Sequence, residues 1–380
     1  MATRTLVFAG LFVDALVVLV VAGSLPAFAT SFGVRQDVAG LVFTTNGLGF
    51  VAAVPLSGLL GDRFGKRAVA AVSAAVVAVG LAAFAASHNL ASGLGAAVLI
   101  GAGGGAVESG ITALLPDLYP GREGFANNFA QSFFGLGATL GPPLLLAAAL
   151  GWRLRFLLGA AAYLVVAVGM WRERGLDAPA AAAPEVHAAS RSLAASLRSA
   201  GVIAPALGLI LYTGVEVALW GWLFAVVTRP GGAGPVWAVA ELSGFWCAMG
   251  LGRLGSGILA DRVPLPALIA AGTAAGIPAL LLALLLPSPA GALAAAIVCG
   301  LAFSGIWPSL VALAQRDHGG SNLLAALLVA AGGIGALIVP AAFGFATARL
   351  GLATAAVGLA VLLVPVSALA LVPARRARPA

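Results

Sequence analysis

The sequence predicts an all-α membrane protein: twelve transmembrane helices in two six-helix bundles related by pseudo-two-fold symmetry. Three observations carry this. Hydrophobic residues make up 61% of the 380 residues and charged residues 9%, and the mean hydropathy is +1.08; a soluble chain carries about 25% charged residues. Apolar runs of about 20 residues, enough to cross a bilayer as helix, follow one another from end to end. A charged segment, Gly58-Leu-Leu-Gly-Asp-Arg-Phe-Gly-Lys-Arg67, returns 199 positions later as Gly257-Ile-Leu-Ala-Asp-Arg262.

The spans read as helices because helices and closed barrels alone satisfy the backbone in lipid, and the runs are too long for barrel strands. The first half places them at about 5–31, 38–60, 67–87, 90–115, 125–150 and 153–171. The second half places them at about 201–228, 235–260, 264–286, 289–315, 321–346 and 351–373. The predicted domains are therefore 1–171 and 201–373, joined by a linker over 172–200 and followed by a basic tail over 374–380. The linker carries Arg172, Glu173, Arg174, Asp177, Glu185, His187, Arg191 and Arg198 with Pro179 and Pro184. Pro26-Ala-Phe-Ala29 resembles a signal cleavage site, but removing that segment leaves eleven spans and breaks the symmetry, so it is read as part of span one.

The repeat has a second witness. Gly135-Leu-Gly-Ala-Thr-Leu-Gly-Pro142 in span five matches Gly333-Ile-Gly-Ala-Leu-Ile-Val-Pro340 in span eleven, 198 positions on. Equal offsets mean that the halves run in parallel about an axis along the membrane normal.

The formal charge of +7 follows from topology and does not indicate nucleic acid. With the N-terminus inside, Arg4, Arg63, Lys66, Arg67, Arg122, Arg172, Arg174, Arg191, Arg198, Arg262, Arg316, Arg375, Arg376 and Arg378 are cytoplasmic. Arg35, Arg153, Arg155, Arg229 and Arg349 fall on the other side. This obeys the positive-inside rule and places both termini in the cytoplasm. Cys247 and Cys299 lie within spans and read as small packing residues.

Ionisable residues inside spans cost about 2.5–3.5 kcal/mol each on insertion scales and mark function. There are five: Asp14, Glu108, Glu216, Glu241 and Arg253. Gly101, Gly104 and Gly105 share the helical face of Glu108, which suggests a carboxyl beside a cavity. Desolvation there favours the neutral acid, as a proton carrier requires. Tyr212, Glu216 and Trp220 recur at four-residue spacing along span seven, a carboxylate between aromatic faces suited to a sugar ring or an organic cation. Asn46 with Thr44 and Thr45, Asn127, Asn128, Gln131, and Trp307 before Pro308 are further polar positions for a cavity. Glu241 reads as an acid near the outer end of span eight, and Arg253 as a structural cation near the second hairpin. Acids outnumber bases four to one in the spans, which argues for a neutral or cationic solute.

The Gly58–Arg67 segment resembles the loop between spans two and three of the major facilitator superfamily. Span count, linker and degenerate second copy agree with that resemblance over the whole chain. It implies transport by alternating access. It also implies that Gly58, Asp62, Arg63, Gly65, Lys66 and Arg67, with Asp261 and Arg262, latch and release the two halves rather than bind substrate. A narrower resemblance is to the fucose–proton symporter family. It rests on Gly103-Gly-Gly-Ala-Val-Glu108, Asn128-Phe-Ala-Gln-Ser-Phe133, Tyr212-Thr-Gly-Val-Glu-Val217 and Ser304-Gly-Ile-Trp-Pro-Ser309. It implies proton-driven uptake of a small neutral solute such as a sugar, with Glu108 and Asp14 as proton-coupling candidates. Glu216, Tyr212, Trp220, Asn128, Gln131, Asn46 and Trp307 are the substrate candidates. In that family the span-one aspartate sits shortly before a Leu-Pro pair, whereas Asp14 lies about three turns before Leu25-Pro26; the second titrating acid and the substrate stay open.

The rival expectation is a proton-coupled antiporter that exports drugs or organic cations. Against it, span four has no arginine in its first half, and Gly137–Pro142 is only part of the antiporter signature. No enzyme is expected. His88, His187 and His318 fall in loops or the linker, so no metal site or Ser-His pair is read within the membrane, and no Walker loop is present. No metal or cofactor is expected, the proton gradient being the energy source. The expected partners are a small-molecule substrate and the lipid bilayer. The expected setting is a bacterial inner (plasma) membrane, and the expected state a monomer.

Overall fold

The computed structural model describes residues 2–146, 150–173, 199–228, 234–318 and 322–372; predicted features of the linker and of the basic tail lie outside them. All secondary structure among the described residues is helical. Twelve spans emerge. Span one is Ala2–Gly23 continued by Leu25–Phe32, followed by a short connecting helix Gln36–Ala39. Spans two to six are Leu41–Phe64, Lys66–Ala85, Leu90–Leu118, Glu123–Leu146 and Trp152–Arg172. Spans seven to nine are Ala200–Thr228, Pro235–Ala260 and Leu265–Leu285. Span ten is Pro289–Phe303 continued by Ile306–His318, span eleven Asn322–Leu350, and span twelve Leu352–Val361 continued by Val364–Ala370.

The three interrupted spans share a cause. Pro26, Pro308 and Pro365 each sit in the first turn after a break. A proline lacks the N–H that would bond four residues back, and its ring crowds that carbonyl, so the preceding turn opens. The joint between spans two and three is tighter than the sequence suggests. Gly58, Asp62 and Arg63 belong to the last turns of span two, and Gly65 alone joins it to span three. Gly65 has φ +88°, a conformation that disfavours any side chain. The second joint, Asp261–Pro264, has no glycine and takes four residues.

Ten helices are apolar and long enough to cross a membrane on composition alone. The other two spans, five and eight, are the polar ones. They carry Asn127, Asn128, Gln131 and Ser132 opposite Glu241, Ser243, Arg253 and Ser256. They pack on each other along their length, because their polar sides face the partner half and not lipid. Gly124 meets Ala260, Asn128 meets Gly257, and a Cβ at Gly135 would lie 2.5 Å from the Gly250 Cα. Spans two and eleven form the other seam, with Phe50 against Gly333 and Gly47 against Leu337.

Each half has its own core. The first gathers Phe28, Phe84, Trp152 and Phe156, the last two rings 5.6 Å apart. The second gathers Tyr212, Phe245, Met249 and Phe303. Between membrane helices small residues decide how closely backbones approach, and here they repeat. A Cβ at Gly137 would lie 2.1 Å from the Phe12 carbonyl oxygen, and one at Gly335 1.9 Å from that of Ile210. Both members of the second pair stand 198 residues after the first. A Cβ at Gly101 would lie 1.9 Å from the Asn46 carbonyl, and one at Gly300 2.2 Å from that of Phe245; here both partners shift by 199. The sequence repeat is thus a repeat of backbone contacts.

Cys299 is buried, but Cys247 is exposed and faces outward from its half. The expectation that both cysteines pack internally holds for the first alone.

Candidate functional site

Charged side chains from five spans meet between the halves. Asp14 of span one is buried and accepts a hydrogen bond from the Tyr163 hydroxyl of span six. Gly104 of span four faces it, since a Cβ there would come within 3.8 Å of the Asp14 Oδ1. Glu108 lies one turn further along span four, half-buried, within electrostatic reach of Asp14, Arg253 and Glu216. Gly101 and Gly105 do not border a cavity as expected: they let span two lie on span four, against Asn46, Phe50 and Val54.

Arg253 of span eight is 3% exposed. Its Nη1 donates to the Gln131 carbonyl of span five at 3.0 Å, and its guanidinium stands 5.9 Å from the Phe134 ring. Its Nε has no hydrogen-bond partner. It is therefore a cation held across the junction of the halves, in the field of acids from both, and more than a structural residue beside the hairpin. Glu241 also departs from expectation. It is not solvated at the span end: it is 1% exposed and neither carboxyl oxygen is hydrogen-bonded.

The substrate candidates divide. Glu216 is buried beside Tyr212. Tyr212 itself is a core residue: it is 0% exposed, its ring packs on Phe303 at 5.5 Å, and its hydroxyl donates to the Phe303 carbonyl at 3.0 Å. The side of span seven left partly open carries Thr213, Glu216 and Trp220. Trp220 stands 6.4 Å from Trp246, which in turn packs on Phe134 across the halves. Trp307 is buried, with Nε1 directed toward Gly332 of span eleven. Asn46 is half-buried and donates to the Ala97 carbonyl at 3.4 Å. Asn128 is buried in the seam at Gly257 and donates to the Gly124 carbonyl, while Gln131 offers its carbonyl to Arg253. Asn128 therefore takes part in joining the halves.

The hairpin residues organise one face of the bundle. Lys66 pairs with Asp117 and donates to the Ala113 carbonyl at 3.1 Å, and Arg67 donates to the Trp171 carbonyl at 2.7 Å. Arg63 lies over the Phe64 ring, and Arg262 is exposed. Gly58 faces a small recess that it shares with Ser57, Lys66 and Ser109. The side chain of Asp62 lies outside the described residues. Its counterpart Asp261 pairs with Arg122 of the other half, Oδ2 standing 3.0 Å from Nε and 2.5 Å from Nη2. Beneath it, Asn127 donates to the Gln315 side chain at 2.8 Å, and Gln315 donates to the Thr112 carbonyl at 3.2 Å. The hairpin face is thus fastened between the halves.

Sequence reasoning passed over Tyr163, Thr213, Arg122 and Gln315. Each is a common residue type at an unremarkable spacing, and each partner is remote in the chain or in the other half.

The chain is similar to known proteins in three ways. The family model described as Major Facilitator Superfamily matches residues 7–340. An uncharacterised transporter of that type from Bacillus subtilis, YfkL, is 28% identical over 113 residues, covering 29% of this chain and 28% of the relative. The quinolone resistance protein NorA of Staphylococcus aureus is 26% identical over 119 residues, 31% of each chain. The chain thus matches less than a third of the length of these relatives. Among solved structures, the Escherichia coli fucose:proton symporter FucP superposes with a TM-score of 0.77 at 20% identity, over 96% of this chain and 97% of that one. The proton:xylose symporter XylE gives a TM-score of 0.79 at 14% identity, over 98% and 96%. The human organic anion transporter MFSD10 gives 0.74 at 19% identity, over 96% and 98%. A twelve-span repeat fastened at its charged hairpins, with a family match over most of its length, has one consistent identity: the chain belongs to the Major Facilitator Superfamily.

Proposed function

We propose that this transporter couples the uptake of a small neutral solute, a sugar above all, to the inward movement of protons by alternating access. The observation that carries the reading is the placement of Glu108. It is half-buried and within electrostatic reach of Asp14 in its own half and of Glu216 and Arg253 in the other. A proton on Glu108 removes a charge from that cluster, so it changes the energy of the two halves against each other. A ligand or proton shifts such an equilibrium only through a difference in its free energy between the two states. The hairpin face is taken as cytoplasmic, on the positive-inside argument. The transporter is proposed to work as a monomer in a bacterial inner membrane with no cofactor. In the cycle, Glu108 is protonated from outside, solute binds, the halves rock, Arg122 parts from Asp261, and proton and solute leave inside.

The second reading is export of a drug or organic cation in exchange for protons. The partial likeness to a quinolone resistance protein favours it, as do the aromatic faces of Trp220 and Trp246 near acids. One experiment separates the two. Proteoliposomes are given a panel of monosaccharides and cationic dyes, with and without an inward proton gradient. Accumulation of a monosaccharide that collapses with the gradient supports symport. Expulsion of a dye by the same gradient, with no sugar taken up, supports export and overturns the proposal.

A further inference from the structure

We infer that Thr213, Trp307 and Gly332 form a hydroxyl-recognition subsite in the second bundle, the solute-binding counterpart of the acid cluster in the first. The inference rests on the symport reading above. The Thr213 hydroxyl oxygen is buried and has no hydrogen-bond partner. A Cβ at Gly332 would lie 3.2 Å from that oxygen and 3.6 Å from the Trp307 Nε1. Two polar groups from spans seven and ten therefore converge on one glycine of span eleven, where the absent side chain leaves them open to a third party. The adjoining Gly333 packs on Phe50 and Val51 of the other bundle, so the subsite lies at the junction that alternating access must rearrange.

The internal repeat shows what is particular about these positions. Spans seven and eleven follow spans one and five at an offset of 198, and span ten follows span four at 199, as the paired glycine contacts establish. Trp307 then corresponds to Glu108, Gly332 to Phe134, and Thr213 to Ala15 beside Asp14. Where the first bundle has an acid and a phenyl ring that fills space, the second has an indole N–H and a glycine that does not. One fold position serves the proton in one half and hydrogen bonding in the other.

The donor inventory selects the ligand. An indole N–H only donates, and a threonine hydroxyl both donates and accepts. An alcohol oxygen accepts from Trp307 while its own hydrogen is donated to Thr213. An ammonium group has nothing to accept the Trp307 hydrogen, and a carboxylate is repelled by Glu216 one turn along span seven. The fitting solute is a polyhydroxylated neutral molecule presenting one hydroxyl edge-on.

The test uses purified full-length protein and calorimetric titration with pentoses, hexoses and their monodeoxy forms. Thr213→Val keeps the shape and removes the hydroxyl. Gly332→Ala places a methyl group where the ligand hydroxyl would sit. Each variant is expected to bind the best sugar about tenfold more weakly, the scale of one lost hydrogen bond, with an unchanged melting temperature. Wild-type protein should lose about as much for one particular monodeoxy sugar, and Thr213→Val should no longer tell that sugar from its parent. Equal affinity in wild type and Thr213→Val would overturn the subsite and leave symport standing. Failure of wild-type protein to bind any of the sugars would overturn the symport reading as well.

Discussion

Substitution of Gly135 by alanine should pry the two halves apart, and the same change at Gly250 should not. The two glycines face each other across the seam of spans five and eight, but not symmetrically. A Cβ at Gly135 would lie 2.5 Å from the Gly250 Cα and 2.9 Å from its nitrogen, whereas one at Gly250 would keep 3.4 Å from its nearest neighbours. Reaching ordinary contact from 2.5 Å requires the helices to separate by about 1 Å, because the obstacle is backbone and cannot rotate away. The seam hydrogen bonds on either side, Arg253 to the Gln131 carbonyl and Ser243 to the Thr139 carbonyl, are each 3.0 Å long. A shift of that size lengthens both beyond hydrogen-bond range. A neutral bond is worth about 1 kcal/mol and one from a charged donor about 1.5–3, so the joined state loses about 2–4 kcal/mol, a factor of roughly thirty to nine hundred. Spin labels at the exposed Phe64 and Leu371, one on each half, report the separation by pulsed dipolar spectroscopy. Gly135→Ala should lengthen and broaden the distance distribution, and Gly250→Ala should leave it native. Equal effects from the two substitutions would refute the reasoning, because the asymmetry comes from the geometry alone.

Three other predictions follow from the site and its supports. Glu108→Gln should abolish gradient-driven accumulation in proteoliposomes while keeping solute counterflow, and Glu216→Gln should weaken binding at every pH tested; the opposite pattern would exchange their roles. Arg122→Ala and Asp261→Ala should show a coupling of about 0.2–1 kcal/mol in a double-mutant cycle on the same distance measurement, fading at high salt because the pair is partly exposed; zero coupling at low salt would remove the pair from the gate. Gly101→Ala should lower the melting temperature and yield of the purified protein, since its methyl group would meet the Asn46 carbonyl at 1.9 Å, while Gly95→Ala, with nothing within 4 Å, should behave as wild type; equal behaviour would mean that span two is not seated on span four as described.

Much of this architecture is legible in the chain itself. Lipid demands long apolar helices, so the spans announce themselves by hydropathy, and only the two polar seam helices fall short. The paired glycine motifs at nearly equal offsets identify the two halves because each glycine answers a backbone contact that both halves repeat. The acids Asp14, Glu108 and Glu216 stand out for the same reason: a carboxyl in an apolar run has no cheap explanation. Tertiary structure alone decides which side of each helix meets a partner. A span apolar all round carries no stripe to show its buried face. Tyr212 and Thr213 are neighbours in sequence, yet one is locked against Phe303 and the other opens toward Gly332. Asp14 finds its donor 149 residues away in Tyr163, and Arg122 finds Asp261 139 residues away in the other half. Such pairings depend on how two bundles are set against each other, and nothing in the local pattern of either segment encodes that.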